Sequence, residues 1–342
     1  MNSQNLPNPQ DLSTNQDLNL HGSQNMSPPD DPNSGVEYLP NVVNFFQTWK
    51  SKTGIPPIFK RSMDEWTHVL SINNKDPKSD VYYKYNYLDD ADLRSVVERV
   101  MPKHLQFYDK MRQNIERVDF CRYVLMYEYG GIYSDMDAFI TKNPKAMKNI
   151  NDNVTRAYKE GIAILTTEPI EHVERLYPHK LGNIGKINEE LGNGKNIRET
   201  VFLCNAFIIS APKNEVWLDF IDYIIKHYDE NAHKGAVQTT GPEAMTDWYE
   251  NDIYGGELEN NIVIEDYCDY NPIDASTNDI AGSCKIRGYK SKDDATVVHT
   301  WENSHVNNGL MRFLKRYWWV IIMIIILLAL GYWAYKRGFL YA

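Results

Sequence analysis

Asp135 and Asp137 stand one residue apart, just after a short Gly-Gly-Ile-Tyr strand that we predict at residues 130–133. Alternate side chains of a strand point to the same face, so we expect the two carboxylates to lie side by side. Paired hard oxygen ligands suit Mg²⁺ or Mn²⁺, which bind few carboxylates and keep positions open for phosphate oxygens. The pair therefore predicts a metal site that holds a diphosphate, and a solvated turn is the alternative that spacing alone leaves open.

A helix predicted over residues 118–129 precedes this pair, and Gly130-Gly131 ends it. Asp119 and Arg122 are three residues apart in this helix, so their side chains share one face. The two could jointly face a ligand, or they could form a surface ion pair that contributes less than about 1 kcal/mol. The spacing by itself does not decide between these two interpretations.

Strand-like and helix-like segments alternate between the two ends of the chain, which predicts an α/β domain over residues 37–310 with a mostly parallel sheet. Strands are predicted at residues 42–46, 81–88, 161–165, 201–209, 262–264 and 296–299. Helices are predicted at residues 63–70, 93–100, 118–129 and 215–227.

The two ends of the chain have opposite compositions. Residues 1–36 are rich in Asn, Gln, Ser, Pro and Asp, and we expect them to be disordered because they bury too little apolar surface. Residues 317–335 carry no charge and have Trp and Tyr at both ends, which predicts a transmembrane helix acting as a C-terminal anchor. We expect the catalytic domain of this single-pass membrane protein to face the cytoplasm, with a Golgi or ER-lumenal orientation as the alternative.

The overall charge narrows the range of partners. The 342-residue chain has a formal net charge of -10, which argues against nucleic-acid binding because that function needs a basic face. An acidic protein can still bind a phosphorylated ligand if a metal neutralises the charge locally. Cys268 and Cys284 flank a loop and could form a disulfide in an oxidising compartment.

The run from Asp119 to Asp137, with Gly130-Gly131-Ile132-Tyr133 inside it, resembles the DXD signature of glycosyltransferase family 32. The resemblance continues in register over about residues 40–310, in blocks at residues 45–50, 87–90, 205–212, 240–242 and 298–304. Two positions depart from the family pattern. Phe46 replaces a usual histidine, and His305 stands where a tryptophan is common.

The family resemblance implies a GT-A-type fold, a Rossmann-like nucleotide-sugar-binding domain with a mostly parallel mixed sheet. It also implies transfer of a hexose with retention of anomeric configuration. The expected cofactors are Mn²⁺ or Mg²⁺ and a nucleotide-sugar donor, either UDP-hexose or GDP-mannose. The expected acceptor is a glycan or a lipid, and the C-terminal anchor favours an acceptor at a membrane.

Roles for individual residues follow from the same resemblance. Asp137 is expected to bind the metal directly, while Asp135 reaches the ribose or sugar and binds the metal through water. Asp119 and Arg122 are expected to hold hydroxyls of the donor sugar. A second group of residues is assigned to the metal shell and the nucleotide base: His299 or Ser304 for the metal, and Gln47 and Trp49 for the base.

Two other classes of protein remain as alternatives. A phosphatase of the HAD class also uses an Asp-x-Asp pair at a strand end, but it needs Thr or Val where Phe139 stands, and a later Gly-Asp-x-x-Asp motif. A non-catalytic, membrane-anchored binding protein on a glycosyltransferase fold would keep the same residues without turnover.

Overall fold

The computed structural model describes residues 42–180, 202–231, 233–275 and 277–302, together with scattered positions between residues 322 and 336. The chain separates into two units, residues 1–38 and residues 39–342, and every described residue belongs to the second. The predicted disordered segment and the predicted metal ligand Ser304 lie outside the described residues.

The described strands and helices alternate along the chain. The strands are β1 Val43–Thr48, β2 Tyr83–Leu88, β3 Gly131–Ser134, β4 Ala138–Ile140, β5 Ala163–Thr167, β6 Leu203–Ser210, β7 Ile262–Glu265, β8 Ile273–Asp274, β9 Asp279–Ile280 and β10 Val297–His299. The helices are α1 Pro57–Lys75, α2 Asp90–Val100, α3 Leu105–Lys110, α4 Asn114–Tyr129, α5 Ala146–Glu160, α6 Ile170–Leu176, α7 Val216–Asn231, α8 Ala236–Thr239, α9 Pro242–Trp248, α10 Tyr267–Tyr270 and α11 Gly282–Ile286.

Six of these strands form one mixed sheet in the order β2-β1-β3-β6-β5-β7. The pairs β1–β2, β1–β3 and β5–β7 are parallel, whereas β6 runs antiparallel to both of its neighbours. The carboxyl ends of β1, β2, β3, β5 and β7 therefore meet at one edge of the sheet. The predicted α/β class with a mostly parallel mixed sheet is confirmed.

Helices cover both faces of the sheet because neighbouring residues of each strand point to opposite faces. Phe45 of β1 packs in a core that includes Trp66 of α1 and Val154 of α5. Its neighbour Phe46 belongs to the opposite core, which includes residues of α2, α4 and α7 such as Phe120. The connection from β1 to β2 thus crosses one face, and the connection from β2 to β3 crosses the other.

Local capping explains where the two helices nearest the site begin. The Asp89 carboxylate accepts hydrogen bonds from the backbone N–H groups of Ala91 and Asp92. The Asp92 carboxylate in turn accepts from the Asp89 N–H, which completes a capping box at the start of α2. Gln113 and Glu116 form a second box at the start of α4. Helix α4 therefore begins four residues before the predicted start at residue 118.

Several elements were not predicted from the sequence: the strands β4, β8 and β9, the helix α5, and the short helices α3, α6, α8, α9, α10 and α11. Strand β4 has three residues, which is too short to show an alternating pattern. Helix α5 does carry a signal, since Ile150, Val154 and Ala157 are spaced by four and three residues and are all buried. Its many Asn and Lys residues masked that spacing.

Among the described residues, no helix has the length and apolar character needed to cross a bilayer. The span predicted at residues 317–335 lies mostly outside the described part of the chain, which includes only isolated helical positions there. The transmembrane helix therefore stays a prediction from the sequence.

Candidate active site

Asp135 and Asp137 lie in a tight turn between β3 and β4. The strand ends at Ser134, and the Ala138 N–H donates to the Asp135 carbonyl at 3.0 Å. The Asp135 N–H donates to the Ala206 carbonyl at 2.8 Å, which fixes the turn to β6. The expectation that both carboxylates extend a strand is wrong, because the backbone reverses between them. The turn nevertheless brings the two carboxylates together.

His299 reaches the same turn through the small sheet formed by β4 and β10. These strands pair antiparallel with His299 opposite Ala138, the residue that follows Asp137. The imidazole Nε2 lies 3.0 Å from the Asp137 Oδ1. One ligand atom from each of Asp135, Asp137 and His299 falls within 4.8 Å of the other two. The structure therefore assembles the three residues that were predicted as metal ligands.

Asp119 and Arg122 are buried on α4, with 5% and 2% of their surfaces exposed. The Arg122 Nη2 lies 3.2 Å from the Asp119 Oδ1. Asn205 donates to the same carboxylate at 3.2 Å and Thr240 donates at 3.1 Å. The surface ion pair considered from the sequence is therefore wrong, because both charges are enclosed by protein.

The Arg122 guanidinium also supports the turn with Asp135 and Asp137. Its Nη2 donates to the Asp135 Oδ1 at 2.9 Å, and its Nη1 donates to the Asn205 carbonyl. The guanidinium carbon lies 4.3 Å from the centre of the Tyr133 ring, whose hydroxyl donates to the Asp135 Oδ1 at 3.1 Å. Arg122 thus carries a charge that neutralises one of the neighbouring carboxylates and fixes its position.

The protonation of the site follows from burial and from these pairs. Burial raises the pKa of the Asp119 carboxyl to about 6, against the opposing charge of Arg122. Burial also raises the pKa of Asp135, where Arg122 opposes the shift and the charge of Asp137 adds to it. Two carboxylates beside one guanidinium thus leave excess negative charge at the turn.

Asp137 and His299 shift each other in opposite directions. Burial works against ionisation of Asp137, but the charge and hydrogen bond of His299 outweigh it and lower the Asp137 pKa. Burial likewise works against protonation of His299, yet the charge and hydrogen bond of Asp137 raise its pKa to about 9. Without a cation, the two side chains therefore form an ion pair at neutral pH.

The two residues predicted at the nucleotide base occupy different environments. Gln47 is fully buried, and its amide nitrogen donates to the Ser62 hydroxyl and to the Asp135 carbonyl, each at 3.2 Å. The Tyr85 hydroxyl donates to its amide oxygen at 2.8 Å. Gln47 therefore supports the turn with Asp135 and Asp137, and both its amide nitrogen and its amide oxygen are hydrogen-bonded to protein groups.

Trp49 follows the carboxyl end of β1 and is partly exposed. Its ring packs against Phe59 with centroids 4.6 Å apart. The indole N–H is buried and has no hydrogen-bond partner among the described residues. A partly exposed ring with an unpaired donor, at the same edge as Asp135, is compatible with the predicted contact to a base.

Sequence reasoning missed several residues that shape this site. Tyr133 bonds both Thr48 and Asp135, and only its position two residues before the first aspartate could have indicated that role. Glu168 follows β5 at the same sheet edge and is 3% exposed. The Asn271 amide donates to its carboxylate at 3.1 Å. No local pattern in the sequence marks Glu168.

The donor set fits a divalent cation. Two carboxylates and an imidazole supply oxygen and nitrogen ligands, and buried acids outnumber buried cations around them. The His299 Nδ1 is buried without a partner among the described side chains, so one nitrogen of this ring is not committed to a protein hydrogen bond. Asp135, Asp137 and His299 are the residues that would hold the ion.

Residues 52–157 match the sequence model of a family described as the glycosyltransferase sugar-binding region containing a DXD motif. This segment includes α4 and the turn with Asp135 and Asp137. The resemblance to glycosyltransferase family 32 that was predicted from the sequence is therefore confirmed.

Individual relatives agree with that class. The chain is 29% identical over 143 residues to the initiation-specific alpha-1,6-mannosyltransferase of Saccharomyces cerevisiae, covering 37% of this chain and 28% of that protein. It is 28% identical over 127 residues to inositol phosphoceramide mannosyltransferase 3 of Schizosaccharomyces pombe, covering 36% and 32%. It is 34% identical over 106 residues to the uncharacterized glycosyltransferase L373 of Acanthamoeba polyphaga mimivirus, covering 31% and 38%. The matched regions thus span about a third of these relatives' length.

Two solved structures show a weaker similarity. The PaToxG glycosyltransferase is 13% identical, covers 65% of this chain and 73% of its own, and has a TM-score of 0.38. Mouse xyloside xylosyltransferase 1 is 12% identical, covers 78% of this chain and 100% of its own, and has a TM-score of 0.40.

Proposed function

We propose that this chain is a metal-dependent, retaining glycosyltransferase of the GT-A type that moves a hexose from a nucleotide sugar to an acceptor. The observation that carries the proposal is the group of Asp135, Asp137 and His299, which converge within 4.8 Å beside the buried Arg122. The family match over residues 52–157 supports this function over the phosphatase alternative.

The sheet topology supports the position of the nucleotide. In open α/β sheets, ligands bind outside the carboxyl ends of the strands, where connections on either side of a strand leave toward opposite faces. Strand β1 lies between β2 and β3 in the sheet. The connection from β1 to β2 and the connection from β2 to β3 cross opposite faces of that sheet. Trp49 and Asp135 follow β1 and β3 at that position. We therefore place the base toward Trp49 and the diphosphate toward the two aspartates.

The side chains of this site would prepare it for departure of a diphosphate. A bound cation supplies charge that stabilises the leaving diphosphate, in place of a proton. Arg122 holds Asp135 and offsets part of the negative charge at the turn. His299 orients Asp137 through their hydrogen bond at 3.0 Å. Tyr133 and Gln47 fix the turn from beneath, so its carboxylates lose little freedom when they bind the ion.

The finer assignment of substrates rests on the relatives. Two of them are named as mannosyltransferases, and one of these is named for inositol phosphoceramide. We propose mannose as the first sugar to test, with GDP-mannose as the donor and UDP-hexoses as the alternative donors. Glycans and lipids are the acceptor classes to test.

The membrane anchor at residues 317–335 is retained in the proposal on the strength of its sequence. The orientation of the domain is a separate matter. The structure bridges Cys268 and Cys284 with a disulfide. Such bonds persist in oxidising compartments, so this one argues against the cytoplasmic orientation expected from the sequence.

Turnover of the full chain tests the proposal. With Mn²⁺ and a panel of nucleotide sugars, we expect release of the nucleoside diphosphate with one donor, and retention at the anomeric carbon by NMR. Asp137→Asn should lower the rate by at least about 100-fold, because it removes a charged ligand of the ion. Asp152→Asn, at an exposed residue of α5 paired with Lys148, is the control and should leave the rate unchanged.

Three results would speak against this function. They are equal turnover in the Asp137 variant, turnover that survives removal of divalent ions, and no turnover with any donor of the panel. The last result would favour the non-catalytic binding protein.

A further inference from the structure

The indole of Trp301 lies directly against the imidazole of His299. The centres of the two rings are 4.4 Å apart, and their planes are inclined by 49°. The same indole meets the imidazole of His172 nearly edge-on, with centroids 4.1 Å apart. His172 is 4% exposed and lies 3.4 Å from the carboxylate of Glu168. Trp301 is thus in contact with a proposed metal ligand on one side and with the imidazole of a buried His172–Glu168 pair as well.

Trp301 itself is held in place by two independent features. Its indole N–H donates to the Ile273 carbonyl at 3.0 Å. Its backbone has φ +57°, in the left-handed region. A bulky residue in that region costs about 1–3 kcal/mol and persists only where its surroundings fix it. Ile273 belongs to the segment that the Cys268–Cys284 disulfide closes. The position of the indole is therefore set by structure outside the aspartate turn.

Among the described residues, nothing makes the hydrogen bond to His299 that usually orients a metal-binding histidine. Such a residue normally uses its second ring nitrogen to donate to a carboxylate or carbonyl, which fixes the ring. The Nε2 of His299 faces Asp137, and its Nδ1 is buried without a partner among the described residues. Among the described residues, the ring is therefore oriented by its contact with Asp137 and by packing, and the Trp301 indole packs directly against it.

We propose that Trp301 is a positioning residue that holds His299 toward Asp135 and Asp137 through ring contact. This inference rests on the proposed function, in which His299 binds the cation. Trp301 takes the place of a hydrogen bond at Nδ1, for which the described residues offer no partner, and its anchor on Ile273 transmits the rigidity of the disulfide-closed segment to the proposed metal site.

Metal affinity of the full chain tests the inference, with Co²⁺ as a probe because its visible absorption reports its ligands. Trp301→Leu removes the ring and should weaken Co²⁺ binding about tenfold, which is typical for loss of an outer contact to a ligand. Affinity for Mg²⁺ should change less, because Mg²⁺ relies on the carboxylates. Trp301→Phe keeps a ring but loses the anchoring N–H, and it should show a smaller loss in the same direction.

A matched control separates this role from general packing. Trp217 is fully buried on α7, and its indole donates to the Ser210 hydroxyl at 2.8 Å. Trp217→Phe removes the same group from the core, and it should leave Co²⁺ affinity unchanged.

A double-mutant cycle with His299→Ala decides whether Trp301 acts through the histidine. Once His299 is absent, the Trp301 substitutions should have little further effect on Co²⁺ affinity. Losses that simply add would overturn the inference, as would wild-type affinity in both Trp301 variants. Wild-type affinity in His299→Ala alone would remove His299 from the proposed metal site, and the positioning role of Trp301 would fall with it.

Discussion

The pair of His299 and Asp137 links metal binding to protonation at the level of single residues. The two side chains are 3.0 Å apart, and Asp137 raises the pKa of His299 to about 9 against the effect of burial. A cation that binds the imidazole must displace this proton. In the proposed function, a divalent ion would therefore replace the ion pair between His299 and Asp137 when it binds.

We expect the metal-free protein to lose stability as the pH rises from about 6.5 to above 9. The folded-state pKa of His299 lies above its ordinary value, so its contribution is complete below pH 6.5 and is lost as pH rises through 9. The loss should amount to about 3 kcal/mol in the free energy of unfolding. Urea unfolding in the presence of a chelator measures it.

His299→Gln should flatten that pH dependence, whereas His68→Gln, at an exposed residue of α1, should preserve it. An identical slope in the wild type and His299→Gln would show that another group is responsible.

At the level of elements, the two glycines before the site do more than end α4. Gly131 has φ +87°, and a Cβ added there would lie 2.1 Å from the Asn44 carbonyl oxygen of β1. The approach of β3 to β1 thus depends on the absence of a side chain. These two strands flank the crevice in which we place the nucleotide.

Gly131→Ala should therefore lower the free energy of unfolding by more than about 3 kcal/mol, because left-handed strain adds to a backbone overlap. Gly161→Ala provides the control. It also has a left-handed backbone, at φ +70°, but an added Cβ there meets no atom within 4 Å. We expect this variant to lose only about 1–2 kcal/mol in urea unfolding. Equal losses in the two variants would mean that the close approach at Gly131 costs nothing.

Local sequence patterns predicted the six strands of the main sheet, four of the helices and the pair of Asp135 and Asp137, because periodicity and glycine stops act over a few residues. Helix α4 and strands β2 and β6 fall close to their predicted ranges. The turn at Asp135 was not predictable in that way, since it depends on a backbone bond to β6. His299 lies 162 residues from Asp137, and only the family resemblance connected the two before the structure did.

Burial was the other property that the sequence left open. The spacing of Asp119 and Arg122 is the same for a surface ion pair and for an enclosed one. Whether the pair is enclosed depends on Asn205, which lies in β6, and on Thr240, which directly follows α8. Such contacts between distant segments exist only in the assembled molecule.

At the scale of the whole molecule, the fold brings the residues of the proposed metal site together from three segments at one edge of a mixed sheet. The turn after β3 supplies two carboxylates, β10 supplies an imidazole, and α4 supplies the arginine that fixes Asp135. Nearby, the residue after β1 supplies a partly exposed tryptophan. We propose that this arrangement binds a cation and, through the cation, a nucleoside diphosphate.

Anomalous scattering from Mn²⁺ in crystals grown with GDP or UDP tests that claim most directly. We predict a manganese peak about 2–2.5 Å from oxygens of Asp137 and from a nitrogen of His299, with diphosphate oxygens on its open side. A peak elsewhere, or no peak while Asp137 and His299 stay hydrogen-bonded to each other beside a bound nucleotide, would contradict it.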